Sequence, residues 1–283
     1  MATIILNVPY GSLAIPRPIL NRLQLTSEDL RREHWLLTDP YLLEIAIAAT
    51  EKDSKRGPKT LLSFPWSPLV ADPLGLVANE LEQNQQREPT VLSKDCSGRV
   101  INDWGAMDKA LIMEKTVKPY FEALEKECRE ALEQEKFALL VTLRSFFSIP
   151  QAHEKDRRRP RPQVALGTSQ ERTPEGLAIL AGSVFRSFGL WPQLNWPLSG
   201  APVPPSFDGS PRLKSLGLYL NKDLYLDERT GRKKETIKAT IRMVKILLNL
   251  LDQELERVAS LKLARAFPPK VPSSVIKAQK STL

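Results

Sequence analysis

His34 and His153 are the only histidines in this chain and Cys96 and Cys128 its only cysteines, so imidazole or thiolate chemistry has few places to stand. A zinc site needs several His, Cys or carboxylate ligands converging on one point. His153, Glu154 and Asp156 put three potential ligands within four residues, but inside the stretch HEKDRRRPRP, whose arginines are a poor setting for a cation. His34, in REHWLLTD, reads as a surface or partly packed histidine. Cys96, in KDCSGR, has Lys94 and Arg99 nearby to lower its pKa, yet no histidine beside it to make it a nucleophile. Cys128 falls on an apolar helical stripe and reads as a small core residue. The chain has no G-x-S-x-G, no glycine-rich phosphate loop, no C-x-x-C and no H-E-x-x-H.

The scaffold for any site must come from 283 residues, 42% hydrophobic and 26% charged. That size buries roughly three-quarters of the unfolded surface, enough for a core without disulfides. No apolar run approaches the roughly 20 residues of a membrane span, and MATIILNVPYGS lacks a secretory pattern, so a cytoplasmic protein is expected. The net charge of +8 is local. His153–Pro162 carries five Lys or Arg against two acids, and Arg257–Leu283 carries six and no acid. These read as a solvated loop and tail; without interleaved aromatics, nucleic acid is an improbable partner.

Short β-branched or apolar runs mark strands at Thr3–Val8, Thr60–Phe64, Leu69–Ala71, Ala138–Leu143, Gln163–Thr168 and Leu216–Leu220. Ala138–Leu143, apolar but for Thr142, predicts a strand covered on both faces. Between them lies helical periodicity. Val117, Tyr120, Phe121, Leu124, Cys128, Ala131 and Leu132 share a stripe, with Pro119 suggesting a helix start or a kink there. Ile237, Ile241, Val244, Leu248, Leu251, Leu255 and Val258 alternate by four and three, predicting the longest helix over Lys233–Leu263, packed on the core. Strands alternating with helices predict a largely parallel α/β sheet, one domain over residues 1–266, and a disordered basic tail over 267–283.

Read in order, these segments resemble the N-formylglutamate amidohydrolase family. Ile5–Pro16 (ILNVPYGSLAIP) is similar to its opening strand and P-H-G-G-type turn, and Leu36–Ile45 to its Asp-containing helix. Ser63–Gly75 resembles S-R-x-x-x-D-x-N-R, Val117–Glu127 the P-Y-H-x-A-L helix, and Leu139–Pro150 the strand ending in D-x-H-S. Arg159–Thr168, Leu194–Val203 and Leu216–Lys233 follow in the family's order, the last matching Q-x-E-x-N-R and L-Y-x-D-E. The resemblance implies a mixed, largely parallel sheet flanked by helices, of the phosphorylase/hydrolase-like kind seen in zinc carboxypeptidases. It also implies zinc-dependent cleavage of an N-acyl amide from an acidic amino acid.

The zinc ligands are not matched. Tyr10 stands for the turn histidine, Arg144 for the histidine of D-x-H-S, and Tyr219 for the glutamate of Q-x-E. Thr142 replaces the aspartate of D-x-H-S, and Ser145 is retained. Pro68 and Gly75 replace arginines, Asp72 remains, and Lys222 replaces the last arginine. A guanidinium has donors only, and one placed 4 Å from a dication would cost roughly 8 kcal/mol at an effective dielectric near 20. The expectation is a protein without zinc and without hydrolysis that keeps a binding or regulatory role. Its candidate ligand pocket comprises Asn7, Tyr10, Asp72, Arg144, Ser145, Tyr219 and Lys222, facing a small anion. Ahead of the anion pocket stands the reading that Arg144 and the tyrosines plug the cavity, with Arg144 paired to Asp72 or Asp39; alternatively, hydrolysis persists with His34 or His153 as relocated ligands. A third alternative is polyanion or partner binding through the basic loop and tail.

Overall fold

The computed structural model describes residues 3–51, 59–75 and 89–258. Its centre is a six-stranded sheet in the order β2-β1-β3-β6-β4-β5. The strands are β1 (Thr3–Val8), β2 (Lys59–Ser63), β3 (Ala138–Phe146), β4 (Val164–Gly167), β5 (Pro192–Leu194) and β6 (Leu213–Asn221). β2, β1, β3 and β6 pair in parallel, while β4 runs antiparallel to β6 and parallel to β5. The mixed, mostly parallel α/β sheet agrees with the expectation.

The helices are α1 (Arg17–Leu20), α2 (Ser27–Leu37), α3 (Leu42–Thr50), α4 (Ala106–Gln134), α5 (Glu175–Ser187) and α6 (Ile237–Val258). Both faces of the sheet are covered, and the strand periodicity of two sorts the side chains between them. Ile4, Leu6, Leu139, Val141, Leu216 and Leu218 pack against Ile45 of α3, Phe185 of α5 and Leu248 of α6. Ile5, Leu140 and Leu213 face the other way, against Leu124, Cys128 and Ala131 of α4. All nine residues of β3 are buried, which explains the apolar stretch Ala138–Leu143, interrupted only by Thr142. Each such side chain contributes about 1.5–3 kcal/mol on leaving water. Among the described residues, no helix is long and apolar enough to cross a membrane.

Three expectations need correction. Leu69–Ala71 is not a strand: Leu69 and Val70 lie in a turn, closed by Val70 N–H donating to the Ser67 carbonyl. Three apolar residues between prolines suit a buried turn equally well. α4 begins at Ala106, far before Pro119, which sits inside the helix. At 29 residues α4 is also longer than the 22 described for α6. The expected tail at 267–283 lies outside the described residues.

Candidate functional site

Because β1, β3 and β6 are parallel, their carboxyl ends meet at one edge of the sheet, where open α/β sheets carry their ligand crevices. Tyr10 lies just beyond β1; Arg144 and Ser145 close β3; Tyr219 and Lys222 end and follow β6. The register pairs Arg144 with Tyr219 directly. β4, running the other way, enters from this same edge, so the basic loop that precedes it arrives at the site.

Arg144 lies over the Tyr10 ring, its guanidinium carbon 4.0 Å from the ring centroid. Tyr10 donates its hydroxyl to Asp72 Oδ1 at 2.5 Å. Asp72 is therefore held by Tyr10, and Arg144 pairs with Asp39 instead, its Nε 3.5 Å from Oδ2. Asp39 follows the end of α2 and is anchored to the sheet edge twice. Its backbone N–H donates to the Tyr10 carbonyl at 2.8 Å, and Oδ1 accepts from Ser145 Oγ at 2.8 Å. Neither Arg144 Nε nor Asp39 Oδ2, both buried, has a hydrogen-bond partner. The pair is an electrostatic contact without the hydrogen bonds that normally accompany burial.

Lys222 is buried between aromatic rings, its Nζ 4.0 Å from the Phe147 centroid and 5.5 Å from that of Trp35. It donates to the Thr38 carbonyl at 2.8 Å. Burial pushes its pKa down to about 8, opposed by the attraction of Asp39. Tyr219 donates to the Gly200 carbonyl at 2.7 Å. Room for its ring comes from glycine: a Cβ on Gly217 would fall 2.5 Å from the Tyr219 hydroxyl. Such an approach is tolerable only where no side chain exists.

These groups border a cavity of about 120 Å³ lined by Asp39, Arg144, Ser145, Tyr219 and Lys222 together with Leu36, Leu37, Phe147, Leu198 and residues of the 153–161 loop. Arg144, Ser145, Tyr219 and Lys222 thus come together, with Tyr10 stacked behind Arg144. Two candidates fall elsewhere. Asp72 is fully buried behind Tyr10. Asn7 accepts from the Tyr120 hydroxyl at 2.7 Å and borders a different hollow, beside Phe121 and Pro202.

The basic loop is not simply solvated surface. Arg161 is buried, bonded to Glu154, the Phe147 carbonyl and the Asp156 carbonyl. Asp156 in turn accepts from Arg158 and from Trp196 Nε1 at 2.8 Å. Sequence reasoning missed Arg161, Phe147 and Leu198 as cavity walls. Only the proline on either side of Arg161, which stiffens its backbone, could have signalled it.

The residues do not fit the zinc that the family implies. Arg144 offers no lone pair. Burial, and then the Asp72 charge, raise the Tyr10 pKa well above its ordinary value, so a phenolate ligand is disfavoured. Glu154 and Asp156 are engaged by arginines, and His34 Nε2 is buried with no partner. Among the described residues, no three His, Cys, Asp or Glu side chains gather where they could hold a metal ion. Cys96 does not become a thiolate. Burial and Glu33 push its thiol far up, while Arg99 is turned to Asp29 and Asp95. Cys128, on α4 and buried, is pushed up to about 12.

A sheet of this order, with a crevice at its carboxyl ends, defines a mixed, mostly parallel α/β protein. The solved structures agree on the fold. An N-formylglutamate amidohydrolase from Ralstonia eutropha superposes with a TM-score of 0.72 at 20% identity, over 90% of this chain and 94% of that one. A gene product of Agrobacterium tumefaciens gives 0.63 at 16%, over 89% and 91%. No curated protein matches the chain. The family profile of N-formylglutamate amidohydrolase matches residues 2–226, and the chain belongs to that family.

Proposed function

We propose that this protein is a cytoplasmic member of the N-formylglutamate amidohydrolase family that keeps the fold, has lost zinc-dependent hydrolysis, and binds a small anion at the strand ends. The observation that carries this reading is Arg144, a buried guanidinium stacked on Tyr10 and hydrogen-bonded to nothing. In the family pattern its position belongs to a histidine. A permanent cation there repels a metal dication and attracts an anion, so a single replacement accounts for both the loss and the gain. Lys222, also facing the cavity, adds a second positive charge at neutral pH. Without a bound metal there is no activated water, so the cavity recognises and does not cleave. Both cysteines are free thiols, which supports a reducing compartment.

Elemental analysis and amide hydrolysis test the proposal together. The purified protein should carry far less than one zinc per chain and leave N-formylglutamate intact when zinc is supplied. Stoichiometric zinc together with hydrolysis would defeat it.

A further inference from the structure

The charges around the cavity are not equally available. Glu154 is bonded to Arg161, and Asp156 to Arg158. Asp39 Oδ1 is taken by Ser145, while its Oδ2 is sealed from solvent. Arg161 is engaged by Glu154 and two carbonyls, and Lys222 by the Thr38 carbonyl. Arg144 is different. Its one close acidic neighbour, Asp39, stands 3.5 Å from Nε, and no hydrogen bond is made. The cavity therefore offers one planar fork of donors whose hydrogen bonds are unmade. Such a fork matches one carboxylate, two oxygens against two N–H groups.

Much of the remaining lining is hydrocarbon, from Leu36, Phe147, Pro197 and Leu198, with Ser199 and His153 among its polar members. A second carboxylate on the same molecule would lose hydration against these apolar side chains, while the cations that could offset the loss, Lys222 and Arg161, are already engaged. Size sets a further limit. An apolar cavity of about 150 Å³ holds a benzene molecule. The roughly 120 Å³ here suits a carboxylate with a chain of about three or four carbons.

We infer that the site takes a short-chain monocarboxylate, its carboxylate on Arg144 and its hydrocarbon tail against Phe147 and Leu198. This rests on the anion-binding reading above and narrows it from any small anion to one class. The preference departs from the acidic amino acids of the family's hydrolases. It follows from which donors are free in this chain.

Calorimetric titration of the full chain with n-butyrate, glutarate and inorganic phosphate tests it. Butyrate should bind at least about tenfold more tightly than glutarate or phosphate, a difference of about 1.4 kcal/mol. Arg144→Gln should abolish butyrate binding. Leu198→Trp, which fills the apolar side and leaves every charge in place, should weaken butyrate by a similar factor; circular dichroism checks that both variants fold. Glutarate or phosphate binding as tightly as butyrate would overturn the monocarboxylate assignment and leave the anion-binding reading standing. Binding of none of the three would overturn both. Butyrate binding undiminished in folded Arg144→Gln and Leu198→Trp would overturn the placement in this cavity.

Discussion

Two clusters of buried charge in this molecule are built on opposite principles. In the first, Asp95 and Glu33 tie α2 to the loop around Cys96, and their carboxylates are saturated. Asp95 Oδ1 accepts from Ser97 N, Ser97 Oγ and Arg99 N at 2.9, 2.6 and 2.9 Å, and Oδ2 from Arg99 Nε at 3.0 Å. Glu33 accepts from Cys96 N at 2.8 Å and from Arg32 at 3.3 Å. Burial opposes the Asp95 charge, but the hydrogen bonds from Ser97 and Arg99 more than offset it and hold its carboxyl below the usual range. In the second cluster, Arg144 and Asp39 face each other with Nε and Oδ2 unbonded. A saturated cluster fastens the fold; one with open valences leaves something for a ligand to complete.

The contrast can be broken most forcefully at Asp95. Asp95→Ala removes four hydrogen bonds from a fully buried site, so we expect a loss of about 3–5 kcal/mol in urea unfolding. Butyrate affinity of the folded protein should stay unchanged, because this cluster is not part of the cavity lining. A loss below about 1 kcal/mol would dissolve the distinction.

The next effect is at Lys222. Its pKa is about 8 in the folded protein against 10.5 for an ordinary lysine. Between those values the unfolded chain holds more protons, so this residue makes stability rise with pH there. Relative to Lys222→Met, wild-type unfolding free energy should climb by about 2 kcal/mol between about pH 7 and about 9.5. Comparing the two proteins at each pH cancels the opposing contribution of the buried thiols. Parallel stability profiles would show that Lys222 is not held charged in an apolar setting.

The smallest effect is expected at Arg99, whose side chain is 48% exposed although it bonds to Asp95. Arg99→Gln should cost about 1 kcal/mol or less, with the loss shrinking in high salt. A larger cost would mean that the first cluster owes its strength to the ion pair and not to the backbone and hydroxyl donors around Asp95.

Strands were legible where burial on both faces favours a mostly apolar run, as in β1 and the first six residues of β3. β5 was not, because three residues beginning with Pro192 carry no periodicity. Of the two readings of Pro119, a start or a kink, the start is overturned, because α4 continues through it on the apolar stripe that includes Val117 and Tyr120. At the site, Arg144, Ser145, Tyr219 and Lys222 were legible as departures from a family pattern tied to strand ends. The apolar lining was not, since Leu36, Phe147 and Leu198 look like ordinary core residues until the fold brings them to the same cavity as Arg144. Asn7 lies beside a different hollow, because neighbouring strand residues point to opposite faces and proximity to Tyr10 in sequence says nothing about which face.

The bare backbone at Gly217 has one more implication. Tyr219 fills volume left open by Gly217 of its own strand and by Gly167 of β4 beside it, so its ring acts as a removable floor. Shortening that one residue would deepen the recess without disturbing the strand pairing, which makes position 219 the natural dial for the length of molecule the recess admits.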